Sequence, residues 1–169
     1  MFQAPCRGME VDLFLEQTKE LPVVRVSVRQ LVEFVLRSGD LDNRRTPGAQ
    51  KEAMQAGSRL HRKIQKKMGA GYRAEVSLKK AVREEEFALQ VEGRADGIFS
   101  EPAGMVIDEI KCVYMDLNRL SEPDPIHLAQ AKCYAYLYGD EHGAASMGVQ
   151  ITYCSIETEE IRRFRRDFS

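Results

Sequence analysis

Residues 87–113 read FALQVEGRADGIFSEPAGMVIDEIKCV. Two runs rich in β-branched and apolar residues flank Glu101-Pro102-Ala103-Gly104. The pattern predicts strands at Phe87–Phe99 and Met105–Val113, joined by a four-residue turn of the kind hairpins use. With residues 101–104 as the loop, Ser100 pairs with Met105, which puts Asp96 opposite Glu109 and Arg94 opposite Lys111. Directly opposed residues on one face have Cβ atoms about 4.5–5.5 Å apart, and like charges so placed repel. The repulsion is relieved when one carboxyl is protonated or a cation lies between the two. Hard divalent cations such as Mg²⁺ and Mn²⁺ favour oxygen ligands of this kind. Alternation places Ile107, Glu109 and Lys111 on one face and Asp108, Ile110 and Cys112 on the other, which sets Asp108 apart from the chemistry. A lysine beside a metal-ligating glutamate orients or deprotonates a water and stabilises negative charge on a phosphate. A surface salt bridge among Arg94, Asp96, Glu109 and Lys111 is the alternative reading of the same spacing.

The flanking segments supply the rest of an α/β domain. Tyr72–Leu78 alternates as a strand. Before it, Ala49–Met68 carries Ala53, Gly57, Leu60, Ile64 and Met68 on one helical stripe, ended by Gly69-Ala70-Gly71. Ser27 reads as the N-cap of a helix to about Arg37, with Leu31, Phe34, Val35 and Ser38 on one side. Gly39 stops that helix, and Asp40–Gly48 forms a polar loop. Residues 1–22 have weak periodicity and are expected as an appendage, with a short helix at Val11–Lys19. Asp124-Pro125 starts a helix expected to reach Tyr138 and stop at Gly139. Gly148–Ile156 is a strand, and a further helix is expected from Glu159. An antiparallel meander followed by a helical crossover predicts a mixed sheet flanked by helices. Residues 23–169 then form a single domain, with its core at about 49–156.

Composition excludes several classes. The 169 residues are 43% hydrophobic and 30% charged, as in an ordinary globular domain. Apolar runs are only a few residues long, far short of a bilayer span. Glu10, Asp12 and Glu16 stand where a secretory signal needs a positive start and an apolar core. A cytoplasmic protein with no membrane partner is expected. Cys6, Cys112, Cys133 and Cys154 have no close pair, which argues against zinc and redox motifs and leaves them as apolar filler. Net charge is -1, yet Arg59, Arg62, Lys63, Lys66 and Lys67 crowd one helix, and Arg162, Arg163, Arg165 and Arg166 crowd the C-terminus. Both clusters suit phosphate contacts or a solvated face.

Gly93-Arg94-Ala95-Asp96-Gly97-Ile98 and Val106-Ile107-Asp108-Glu109-Ile110-Lys111 resemble motifs II and III of the PD-(D/E)XK nuclease superfamily. The subtype is similar to the RecB-type and CRISPR-associated adaptation nucleases. Gly57-Ser58-Arg59-Leu60-His61 resembles that subtype's G-x-x-x-H helix, and Gln130 with Tyr134 resembles its Q-x-x-x-Y motif. The four signatures occur in family order over about residues 49–156. The resemblance implies a restriction-endonuclease-like αβββαβ core and a Mg²⁺- or Mn²⁺-dependent deoxyribonuclease, of the exonuclease kind, acting in DNA repair or processing. The residues themselves leave exo- and endonucleolytic cleavage open. By resemblance Asp96, Glu109 and Lys111 are catalytic, and His61, Asp96, Glu109 and the Ile110 backbone carbonyl hold the metal. Gln130 and Tyr134 would support the site or touch the substrate backbone, with ordinary packing as the alternative for both. Glu75 stands where many relatives carry an acid and would support the site or hold a second metal. A buried structural role is the alternative for His61, while His127 and His142 are expected to cap or lie on the surface.

Some relatives hold an iron–sulfur cluster on four cysteines, one before the core and three grouped after it. Here only Cys6 precedes the core and nothing groups after Cys154, so no cluster is expected. Residues 27–40, and Ile151–Cys154 with Glu157–Glu160, resemble the start and end of a nuclease-like domain that precedes a DinG-type helicase in some bacterial proteins. The implied partners are DNA, as a single strand or duplex end, and a helicase domain or subunit. The rival reading is a catalytically silent DNA-binding module accompanying that helicase. The complete Asp96–Glu109–Lys111 set argues against it. A structural interaction domain, a third reading, would bind no divalent metal.

Overall fold

Ser27 closes one element and opens the next. Its hydroxyl accepts the Gln30 N–H while the Gln30 side chain accepts the Ser27 N–H, a capping box that satisfies two otherwise unpaired donors. The computed structural model describes residues 21–36 and 47–168. In chain order these form β1 (Val23–Ser27), α1 (Val28–Val35), α2 (Pro47–Lys67), β2 (Arg73–Arg83), β3 (Ala88–Glu101), β4 (Gly104–Val113), a 3-10 turn at Leu117–Arg119, α3 (Pro125–His142), β5 (Met147–Ser155) and β6 (Ile161–Phe168). The six strands make one mixed sheet with helices against it, the α/β restriction-endonuclease-like architecture. Among the described residues no helix is long and apolar enough to cross a membrane.

β3 organises the sheet. One edge pairs antiparallel with β2, from Arg73–Ile98 to Arg83–Ala88. The other edge is shared: β1 runs parallel beside Ala88–Glu92, and β4 runs antiparallel beside Gly97–Glu101. Residues 93–96 lie in the interval between those two neighbours. From β4 the chain crosses over through α3 to β5, which is parallel to β4, and β6 returns antiparallel at the edge.

Each sheet face has its own core. Ile98, Ile107, Val149 and Ile151 pack with Ala131, Leu137 and Tyr138 of α3. On the opposite side Leu60 and Ile64 of α2 cover Ile110 and Cys154. Burying an aliphatic side chain of that size contributes about 1.5–3 kcal/mol, so these two residues fix α2 over β4.

Several boundaries differ from the sequence reading, each for a physical reason. The β3–β4 turn has two residues, Pro102 and Ala103, because Glu101 and Gly104 still pair; the register is the expected one. α1 buries Val28 and Val32 rather than the face with Phe34, which is 75% exposed. α3 runs past Gly139 and stops at Gly143, whose φ of 66° is the left-handed conformation that ends helices. A Cβ at Gly139 would stand 3.3 Å from Met147 Cγ, so that glycine serves close helix–strand packing. The segment expected as a helix from Glu159 is strand β6. Phe164 and Phe168 both pack on the core, and their four-residue spacing suits a helix or a strand equally. β1 falls within the stretch before the expected core. The appendage helix at residues 11–19, Cys6, Ser38, the Gly39 stop and loop residues 40–46 lie outside the described residues; Pro47 and Gly48, expected in that loop, belong to α2.

Candidate metal centre

Asp96 sits where β3 loses regular pairing on both edges. Towards β2, the rungs Ala74–Gly97 and Val76–Ala95 form, but the Glu75–Asp96 rung between them is missing. Glu75 has φ +57°, a left-handed conformation that costs a non-glycine residue roughly 1–2 kcal/mol. Side-chain alternation slips there. Arg73 reaches the Tyr138 hydroxyl of α3 at 2.7 Å, and Val76 and Leu78 pack in the same α3-side core. An unbroken strand would put Arg73 and Val76 on opposite faces.

Towards β4 the ladder ends at Gly97–Asp108. Beyond it Asp96 Oδ2 accepts the Ile110 N–H at 2.7 Å, a side chain standing in for a backbone partner. The expected Asp96–Glu109 and Arg94–Lys111 pairs are therefore not rungs of the sheet. Arg94 Nε instead meets Glu75 Oε2 at 2.6 Å, on the β2 side. In a strand the N–H and C=O of one residue point to the same edge. The Ile110 carbonyl accordingly faces the Asp96 side.

α2 closes the site from one face. His61 Nε2 lies 3.3 Å from Asp96 Oδ1, and His61 Nδ1 lies 3.9 Å from Glu75 Oε1. The hydrogen bond to Asp96 raises the His61 pKa, against the opposing effect of burial. One turn on, Gln65 Nε2 donates to Glu75 Oε1 at 2.8 Å and to the Asp96 carbonyl at 2.9 Å. It thereby takes the acceptor freed by the missing rung. Gln65 did not figure in the sequence reading, although its position four residues after His61 puts both on one helix face.

His61, Glu75 and Asp96 each offer one ligand atom, and these atoms lie within 4.8 Å of one another. Glu75, expected in support, thus joins the group, whereas Glu109 stands outside it. Glu109 is buried; Oε1 meets Lys111 Nζ at 2.7 Å, and Oε2 has no hydrogen-bond partner among the described residues. Burial first, and then the Asp96 charge, push the Glu109 pKa up, and Lys111 opposes them. His61, Asp96, Glu109, Ile110 and Lys111 line one open cleft of about 480 Å³. Three carboxylates, one imidazole and a backbone carbonyl form an oxygen-rich donor set that suits Mn²⁺ or Mg²⁺. A buried acceptor without a donor is costly unless something occupies it, so Glu109 Oε2 also fits a cation.

The remaining expected residues lie behind this arrangement. Gln130 and Tyr134 are buried on α3 one turn apart, and neither lines the cleft. Tyr134 packs on Gly93, where a Cβ would come within 2.8 Å of the ring. Burial raises its phenol pKa to about 12. Gln130 Oε1 is buried without a partner among the described residues. Asp108 faces away from Glu109 and accepts from Tyr72 (3.0 Å), Gln150 (3.1 Å) and Thr152 (2.6 Å). His127 contacts the Tyr153 hydroxyl at 2.8 Å, and His142 stacks on Tyr138.

No protein-family model matches the chain, and no curated protein does. Among solved structures the chain is similar to one described as "Crystal structure of SSO0001". The two share 20% sequence identity and a TM-score of 0.56, covering 89% of this chain and 69% of that one. That likeness is one of fold.

Proposed function

We propose that the protein is a divalent-metal-dependent deoxyribonuclease that hydrolyses phosphodiester bonds at this cleft. The observation that carries the reading is Glu109 Oε2, buried beside Lys111 without a hydrogen-bond partner among the described residues, in the same cleft as His61 and Asp96. His61, Glu75, Asp96, Glu109 and the Ile110 carbonyl would hold Mg²⁺ or Mn²⁺. When bound, the cation supplies Lewis-acid polarisation of a phosphoryl oxygen and lowers the pKa of a coordinated water. The chain's own groups do the rest. His61 and Asp96 fix each other's orientation through their contact at 3.3 Å. Gln65 holds Glu75 and the Asp96 carbonyl, so the ligand group is braced by α2. Lys111, held beside Glu109, presents a positive charge to the phosphate in the transition state.

The DNA partner, the exonuclease mode and the helicase association implied by the family resemblance belong to the same proposal. A cleavage assay on single-stranded, duplex and forked DNA with Mg²⁺, Mn²⁺ or EDTA tests it. Metal-dependent release of nucleotides or fragments is expected. Binding of DNA without cleavage in either metal would assign the chain to the silent-module reading, and absence of both would leave a structural domain.

A further inference from the structure

We propose that Tyr114 and Met54 form a base clamp at the mouth of the cleft, and that the basic face of α2 holds the backbone of a single strand entering it. This deepens the nuclease reading and rests on it for the position of the scissile phosphate. Tyr114 follows β4 directly, three residues past Lys111, and is 57% exposed. Met54 lies on α2, about two turns before His61, and is 66% exposed. Both line the cleft that holds Asp96, Glu109 and Lys111. A large aromatic ring and a flexible thioether are thus left in water on the helix side and the strand side of a polar site. Aromatic faces stack any base, and methionine adapts to irregular apolar partners.

The charge next to the cleft agrees. Met54 and Ser58 line a second groove with Gln55, Arg59 and Arg62, so the basic groove opens into the site cleft. Arg59 and Arg62 then continue along a surface with Lys63, Lys66 and Lys67. All five are exposed, and Lys63 is held by Glu159. Cations spaced along an exposed helix next to a stacking platform are the means by which proteins bind single strands without reading sequence. The volume of about 480 Å³ is that of a small-molecule pocket and has room for one unstacked nucleotide. The favoured ligand is therefore a single strand with its terminal or unstacked base between Tyr114 and Met54.

The test is binding of the full chain, in EDTA, to oligodeoxynucleotides carrying 2-aminopurine at an end, as a single strand or as a blunt duplex of equal length. Anisotropy reports affinity, and 2-aminopurine quenching reports stacking. The single strand should bind at least tenfold tighter than the duplex, with its end base quenched. Tyr114→Ala should weaken binding about tenfold and relieve the quenching, while Tyr114→Phe keeps both. Met54→Ala should have a smaller effect in the same direction. Arg59→Glu with Arg62→Glu should weaken binding to every sequence and flatten its dependence on salt. Equal affinity for duplex and single strand, or quenching unchanged in Tyr114→Ala, overturns the clamp. Because no metal is present, the result stands apart from cleavage: quenching without hydrolysis in Mn²⁺ keeps the clamp and removes the nuclease, and hydrolysis without quenching does the reverse.

Discussion

Replacing Glu109 with glutamine should make the metal-free protein more stable and remove most of its response to Mn²⁺. The Glu109 side chain is buried, Oε2 has no donor among the described residues, and the folded state raises its pKa even with Lys111 at 2.7 Å. For an acid whose folded pKa lies above the unfolded one, the native state holds the proton more tightly, so ionisation subtracts stability once pH passes the unfolded value. Near pH 8 the charge is therefore a net cost, and every tenfold by which folding tightens the carboxyl's hold on its proton is worth about 1.4 kcal/mol. Glutamine keeps the shape without the charge and should recover roughly 1–3 kcal/mol in EDTA. At about 2–4 °C per kcal/mol for a domain of this size, the melting temperature should rise by about 2–12 °C. Metal reverses the order. At a hundred times Kd, Mn²⁺ stabilises the wild-type protein by about 2.7 kcal/mol, or about 5–10 °C. Loss of one ligand that weakens affinity a hundredfold would leave about 0.4 kcal/mol at the same concentration, a shift of roughly 1 °C. Differential scanning fluorimetry in EDTA and across a Mn²⁺ titration measures both effects. A Glu109→Gln protein that melts below the wild type in EDTA, or one with the wild type's Mn²⁺ shift, refutes the reasoning.

Lys111→Ala leaves the metal ligands in place, so it should keep the Mn²⁺ shift while cleavage falls about a hundredfold or more; a variant that cuts at the parent rate would remove Lys111 from the chemistry. Gly97→Ala should cost about 3 kcal/mol or more by chemical denaturation, because the new Cβ would lie 1.9 Å from Tyr72 Cζ, in a ring held to Asp108. Gly148→Ala meets the guanidinium of Arg165 instead, at 2.0 Å, and should cost less because the end of that long side chain can move at the expense of its pairs with Glu101 and Asp167; equal losses for the two variants would contradict the distinction. The Tyr153 hydroxyl accepts the Asp124 N–H and lies 2.8 Å from His127 Nδ1, while burial lowers the His127 pKa to about 4. The unfolded chain takes up this proton near pH 6.5 and the folded one only near 4, so stability should fall by roughly 2–3 kcal/mol as pH drops through that window. His127→Gln should flatten this part of the denaturation profile, and an unchanged slope would count against it.

What was legible in the sequence followed from rules local to a few residues. Ser100 and Met105 set the hairpin register whether the turn is read as two residues or four, because both readings leave the same pairs opposed. Asp124-Pro125 marked the start of α3, since an N-cap and a first-turn proline use groups that the helix leaves free. His61 faced the sheet because it flanks the Leu60–Ile64 stripe. Other features depended on partners far along the chain. Nothing in Ala74-Glu75-Val76 signals a left-handed residue; Glu75 is held so by Gln65 from α2 and Arg94 from β3. The arginine-rich β6 has no strand period of its own and is placed by pairing with β5.

The irregularity and the candidate site are the same feature. Had β2 stayed regular, the Glu75–Asp96 rung would have formed and alternation would have held. Asp96 would then have stood on the pleat opposite Glu109, with Ile110 paired to backbone. Instead the slip at Glu75 leaves the Asp96 carbonyl to Gln65 and turns its carboxylate to the Ile110 N–H and to His61. Strand, neighbouring strand and helix thereby each deliver one group to a common point. Local strain of this kind persists only where surrounding contacts over-determine it. Here those contacts are Gln65, Arg94 and His61, which also hold the ligand group together. Gln65 is thus the bridge between the unusual backbone and the site, since among the described residues it alone hydrogen-bonds both the strained glutamate and the backbone of Asp96.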